Sequence, residues 1–136
     1  MKRIKVYIAS CYTYGWMPDN VRRQLEAKHV LLDQRFVPFA PLENHFAEIF
    51  QHRKDSEWFE WDIEWLKACD ILVRIKAFKP EGSEIPSPGS EIEERTAKEN
   101  GMLVFQFNSI EELKYWAVVT NQEKLWKDIK IAKQLV

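Results

Sequence analysis

Ile4-Lys5-Val6-Tyr7-Ile8-Ala9, running directly into Ser10-Cys11-Tyr12-Thr13-Tyr14-Gly15, is the stretch from which the architecture can be read. Its apolar part is too short for a buried helix and fits a buried strand with a loop at its carboxyl end. Downstream, Asp19 or Asn20 can cap a helix through about Asp33, with Val21, Leu25, Val30 and Leu32 on its apolar side. Phe36 to Phe39 reads as a second short strand ended by Pro41. The segment from Asn44 to Ala68 is helical in character, with a restart at Asp55 or Ser56. Trp58, Trp61, Trp65 and Leu66 are spaced for one face of it, an aromatic stripe expected mostly in the core.

Asp70 introduces a third strand, Ile71 to Ile75, and a long loop from Lys76 to Gly89 follows, of a length that is uncommon without a function. A helix from Glu91 to Asn100, stopped by Gly101, leads to a strand from Met102 to Phe107. Ser109 with Glu112 and Thr120 with Glu123 have the spacing of capping boxes, so two helices close the chain. Trp116 and Trp126 on them suggest a docked or oligomeric surface. Short apolar strands alternating with helices predict an α/β fold: a doubly wound parallel sheet of about five strands flanked by helices, flavodoxin- or Rossmann-like. At 136 residues, positions 1–136 fit a single domain. In such a fold the ligand crevice lies beyond the carboxyl ends of the strands. Tyr7 to Gly15, Pro38 to His45, Ile75 to Gly89 and the start of the Glu93 helix converge there.

Composition narrows the function classes. With 20 basic and 21 acidic residues the net charge is −1, so no global field draws the chain to a nucleic-acid polymer or an anionic membrane. The apolar runs are too short for a signal-peptide core or a membrane span, and a cytoplasmic protein is expected. Two cysteines, Cys11 and Cys69, build no disulfide framework, and the three histidines show no metal-ligand spacing. No G-x-G-x-x-G or Walker-type glycine loop is present, so neither NAD nor ATP, and no other cofactor, is expected.

Ser87-Pro88-Gly89-Ser90-Glu91-Ile92-Glu93 sets a carboxylate one turn inside a helix start. Ser90 and Glu93 fit the S-x-x-E capping box, in which the Glu side chain folds back on the N-cap amide and has no further task. A helix start also offers free N–H groups to anions, so the same carboxylate can serve chemistry. The residues around the crevice weigh towards chemistry. Val6-Tyr7-Ile8-Ala9-Ser10, Ala40-Pro41-Leu42-Glu43-Asn44-His45, Asp62 to Asp70 and Ser87-x-Gly89-x-x-x-Glu93-x-x-x-Ala97 follow one another as motifs do in the nucleoside 2-deoxyribosyltransferases and related deoxynucleoside monophosphate N-glycosidases. The chain resembles that superfamily over residues 4 to 107.

The resemblance implies cleavage of the bond between deoxyribose and a nucleobase. Glu93 matches the nucleophile that forms a covalent glycosyl intermediate, Tyr7 the tyrosine that bonds to it, and Asp62 a second acid that assists departure of the base. An oxocarbenium-like transition state explains the need for a carboxylate under C1′. The helix start and the Tyr7 hydroxyl are expected to keep Glu93 ionised. His45 stands where the transferases have a base-contacting glutamine, and Trp58 or Trp61 could stack on the base. Ser10, Gly89 and Ser90 fall at the substrate. Ser87 stands where many transferases carry an Asp for the 5′-hydroxyl and the hydrolases a Ser for the 5′-phosphate, which leans towards a monophosphate substrate. The hydrolases' further serine after the last strand has no counterpart here; Arg74 and Lys76 are candidates for the missing charge. The expected partner is a small deoxynucleoside or deoxynucleotide, and relatives imply a homo-oligomer. Hydrolysis and base transfer stay open. The alternative is a nucleotide-binding or sensing module of the same fold that has lost turnover, with Glu93 in its capping box. A phosphoryl-transfer enzyme is disfavoured by the missing phosphate loop and metal cluster.

Overall fold

The structure, a computed structural model, describes residues 2–135. Its strands are β1 (Lys5–Ser10), β2 (Val37–Phe39), β3 (Ile71–Ile75) and β4 (Leu103–Phe107), joined in one parallel sheet in the order β2-β1-β3-β4. Its helices are α1 (Met17–Asp33), α2 (Asn44–Ala47), α3 (Asp55–Lys67), α4 (Pro88–Glu99), α5 (Ile110–Val119) and α6 (Gln122–Gln134), with a 3₁₀ turn at Pro41–Glu43. The α/β fold with a parallel sheet between helices is therefore as the sequence predicts. The sheet has four strands rather than about five: after β4 the chain goes into α5 and α6, and no further strand forms among the described residues.

Burial on both faces explains the apolar strands. Val6 and Ile8 of β1 join Ile71, Val73 and Ile75 of β3 in one core with Ala27 and Leu31 of α1, Leu113 of α5 and Ile129 of α6. The alternate residues Tyr7, Ala9 and Leu72 face the other way, against Leu66 of α3 and Ala97 of α4. A strand covered on both faces loses the polar alternation of a half-exposed one. β2 is an edge strand, which is why it tolerates Pro38 and its missing N–H. Tyr7 pairs in register with Phe39 on one side and Leu72 on the other, so its ring sits at the centre of the sheet.

Several local expectations are corrected. Helix α1 begins at Met17 with Pro18 in its first turn, so neither Asp19 nor Asn20 is its cap. Its buried face is Asn20, Gln24, Ala27 and Leu31 with Val21, whereas Leu32 is exposed. The helical stretch after Asn44 breaks completely between α2 and α3. The aromatic stripe of α3 is not core: Trp61 and Trp65 are 42% and 48% exposed, and Leu66 is the buried member. Trp116 packs among Phe36, Phe105 and Phe107 rather than forming a docking surface, and Trp126 is partly buried beneath Lys2 and Lys130. The α6 cap is Asn121, whose side chain accepts from Lys124 N, and the Thr120 hydroxyl bonds back to Trp116 O instead. Gly101 does end α4, with φ +73° and the paired bonds Gly101 N to Lys98 O and Met102 N to Ala97 O.

Candidate active site

Helix α4 begins at Pro88, not at Ser90, because proline fixes the first-turn φ and lacks the N–H that would be unpaired there. Ser87 takes the N-cap position, and neither serine side chain caps the helix: the Ser87 hydroxyl donates to Ser90 Oγ at 2.6 Å. The shift moves Glu93 out of the capping position and turns it towards the sheet. There it is 7% exposed and accepts a hydrogen bond from the Tyr7 hydroxyl across the sheet face. The capping box expected at Ser90 and Glu93 does not form.

Asp62 comes from the middle of α3, half-buried, with Asn44 Nδ2 donating to its Oδ1 at 3.3 Å. Burial pushes the Asp62 carboxyl up to about 7. Glu93 is pushed up to about 8, chiefly by burial and then by the charge of Asp62, against the lowering effects of the Tyr7 hydrogen bond and of Arg74. The expectation that Tyr7 and the helix start keep Glu93 ionised is thus outweighed by desolvation. Tyr7 is held far above its usual range by burial and then by the two carboxylates, so its hydroxyl stays a proton donor. Both acids line one cleft, and the charge of Asp62 adds to the rise of Glu93, so the two can hold one proton between them near neutrality.

A single cleft of about 890 Å³ unites most of the sequence-derived candidates, for Ser10, His45, Asp62, Ser87, Gly89, Ser90 and Glu93 all line it. Tyr7 lies beneath its floor, fully buried. Trp61 is not brought into it; it packs on Phe39, Trp58 and Trp65, while Trp58 lines the wall instead. A Cβ at Gly89 would meet nothing within 4 Å, so this glycine is not demanded by packing and leaves room in the cleft.

Second contacts fix these groups. His45 Nδ1 shares a hydrogen bond with the Tyr12 hydroxyl at 2.8 Å. Gln24, 1% exposed, donates to Ser10 Oγ and Ile8 O and accepts from Leu42 N, tying the end of β1 to the segment that leads into Asn44 and His45. Asn20, equally buried, donates to the carbonyls of Tyr12 and Tyr14 and holds the loop after β1. Sequence reading missed Gln24, because a polar residue in a helix reads as solvated, and took Asn20 only as a possible cap; two amides one turn apart, in line with Ala27, were the available signal. It also missed Tyr12, which sits in an otherwise uninformative loop.

The charge of the cleft is one-sided. Glu48, Asp55, Asp62 and Glu93 line it, and no lysine or arginine does. Arg74 and Lys76, the candidates for phosphate charge, are both turned to Glu84, at 3.3 and 3.5 Å, outside the cleft lining. Among the described residues no group of three or more His, Cys, Asp or Glu is placed to hold a metal ion. Among the described residues no helix is long and apolar enough to cross a membrane. No protein-family model matches the chain, and no curated protein is significantly similar to it. The functional reading accordingly rests on the site itself and on the motif resemblance.

Proposed function

We propose that the protein breaks the N-glycosidic bond of a 2′-deoxynucleoside through a covalent intermediate on Glu93. The observation that carries this reading is that Glu93 abandons its available cap, is buried at the cleft floor under a Tyr7 hydrogen bond, and faces a second raised acid, Asp62. In the first half-reaction a Glu93 carboxylate oxygen bonds to C1′ as the C1′–N bond breaks, and the electron pair leaves with the base. The base nitrogen takes its proton from Asp62, so the productive form is the one-proton state of the two acids in which Glu93 is ionised and Asp62 carries the proton. Tyr7 donates to the Glu93 oxygen and orients it. In the second half-reaction water or a second base attacks C1′ and gives its proton to the Asp62 carboxylate, as the C1′–O bond to Glu93 breaks and its electron pair returns to the Glu93 carboxylate. His45, held by Tyr12, and Trp58 are the groups placed for the base. Ser87, Ser90 and the first turn of α4 are those for the 5′ end of the sugar.

Ser87 favours a 5′-monophosphate, but a lining that carries Glu48, Asp55 and the one-proton pair Asp62 and Glu93, and no lysine or arginine, favours the uncharged nucleoside, since a phosphate would enter against like charge. Of the two we favour the nucleoside. The test is incubation with each deoxynucleoside and each deoxynucleoside monophosphate, with and without a second free base, watching for released or exchanged base. Release from nucleosides, lost in Glu93→Gln, supports the reading; no turnover on any of them overturns it. We also propose self-association, supported by the exposed Trp61 and Trp65 on α3 and checked by sedimentation.

A further inference from the structure

All of β3 is buried, yet it carries a charge, Arg74, which is 6% exposed. Strand alternation from Leu72 places it on the sheet face that also bears Tyr7. Removing a guanidinium from water costs several kcal/mol, and an apolar residue in its place is often no less stable, so fold stability alone is a weak account of it. Its partners are two carboxylates on different elements. Glu84 accepts from Nη2 at 3.3 Å, and Glu94 of α4, the chain neighbour of Glu93, lies 3.8 Å from Nη1. Glu84 belongs to a short tongue pinned by Ile85 N to Ala77 O and by the Phe78–Glu84 bridge, and this tongue leads straight to Ser87. Lys76 shares Glu84, and Lys98 and Gln106 share Glu94, so neither carboxylate depends on Arg74 for a partner.

Charged or titratable groups stand around Glu93 on three packed elements: Tyr7 of β1 bonds to it, Asp62 of α3 lines the same cleft, and Arg74 of β3, on the sheet face of Tyr7, reaches Glu94, the next residue of α4. Of these Arg74 alone brings positive charge. We propose that Arg74 is a positioning residue whose buried guanidinium acts as the electrostatic counterweight to Glu93, with a strength set by how far Glu84 neutralises it. The consequence for turnover rests on the glycosidic reading, but the interaction itself does not. It predicts shifts of opposite sign for two partners of one ion pair. Arg74→Met removes the positive charge and raises the Glu93 carboxyl further. Glu84→Gln leaves the guanidinium less compensated and lowers it.

The experiment is a pH titration of the Glu93 carboxyl by ¹³C NMR in the full chain, with Glu93→Gln assigning the signal. Arg74→Met is expected to raise its midpoint by on the order of one unit, and Glu84→Gln to lower it by about half a unit. Arg74→Lys, which keeps the charge but not the fork, stays nearer to wild type. Shifts of the same sign in Arg74→Met and Glu84→Gln, or none in either, reduce the pair to a clasp on the tongue and overturn the proposal. If Arg74→Met does not fold, the downward shift in Glu84→Gln decides alone. Where turnover is measurable, its pH optimum moves with the same two signs. Absence of turnover removes the glycosidic reading and leaves the titration to judge Arg74.

Discussion

Ser90-Glu91-Ile92-Glu93 and Ser109-Ile110-Glu111-Glu112 carry one four-residue pattern at the starts of two helices, α4 and α5, and they fold in opposite ways. At α5 it folds back on the helix start: Ser109 Oγ accepts from Glu112 N at 3.1 Å, and Glu112 Oε2 accepts from Asn108 N, one residue before the cap, at 2.6 Å, with the glutamate exposed. At α4 it stays open, and both side chains are buried. Two neighbours decide the difference. Pro88 starts α4 two residues before Ser90, and Tyr7 presents a buried hydroxyl where Glu93 arrives, whereas α5 has an amide as its glutamate's partner. A glutamate used as a cap stays in water at little cost; one drawn to the sheet loses its hydration, and its carboxyl rises to about 8. Location relative to the sheet edge, rather than the motif, separates the exposed glutamate from the buried one.

The largest effect that would break this comparison is on turnover. Glu93→Gln should lower base release by at least about 10³-fold, while Glu112→Gln leaves it within about twofold. Equal losses would make the two glutamates alike and Glu93 a cap. Asp62→Asn should cost about 10²-fold in base release, more for bases that leave poorly without a proton, and a uniform loss across bases would deny it the acid's role. Tyr7→Phe keeps the ring packing and removes the donor, so about a tenfold loss is expected together with a rise in the pH at which Glu93 ionises.

The pH profile sharpens the contrast further. The proposed chemistry needs one proton on the Glu93 and Asp62 pair, so activity should follow a bell with its maximum between about 7 and about 8. Stability carries the same signature. A carboxyl raised in the folded state binds a proton there that the unfolded chain has already released. Its contribution is therefore fully present below about 4.5 and is lost as pH rises from there to about 8. Glu93→Gln, which has no charge to bury, should gain stability relative to wild type as pH rises from 5 to 9, by up to about 4 kcal/mol. Glu112→Gln should show no such trend. Thermal melts across that range decide it, and a Glu93→Gln protein less stable at every pH would mean a structural glutamate.

These contrasts also mark what could be read from residues alone. The strands Ile71–Ile75 and Lys5–Ser10 were legible because burial on both faces leaves short runs dominated by apolar residues, with Arg74 the one buried charge in them. The crevice was legible because strand ends and topology place it. The opened cap at Ser90 was not, since local spacing is the same in both boxes and the deciding partner, Tyr7, is 86 residues from Glu93 in sequence. Nor was the polarity of the buried α1 face, where Asn20 and Gln24 take positions an apolar count assigns to leucines. Trp61 was misplaced for a related reason: helical spacing puts Trp58, Trp61 and Trp65 on one side but does not say how far the sheet extends beneath them, and only Leu66 reaches full burial.

The smallest effect concerns the serines. Ser109→Ala removes a formed cap from a helix that packs on the core through Leu113 and Ala117, and should cost about 1 kcal/mol. Ser90→Ala removes no cap. Its hydroxyl only accepts from Ser87, which would be left to turn towards the cleft, so a loss below about 0.5 kcal/mol is expected. The two substitutions delete the same atom from the same motif, which makes the ratio of their costs a direct reading of whether each box is closed. Equal costs near 1 kcal/mol, unchanged in a Tyr7→Phe background, would mean that α4 is capped by Ser90 after all and that Glu93 is free to fold back onto its helix. A cost at Ser109 alone leaves the α4 serines without a capping task and their hydroxyls open to a ligand in the cleft.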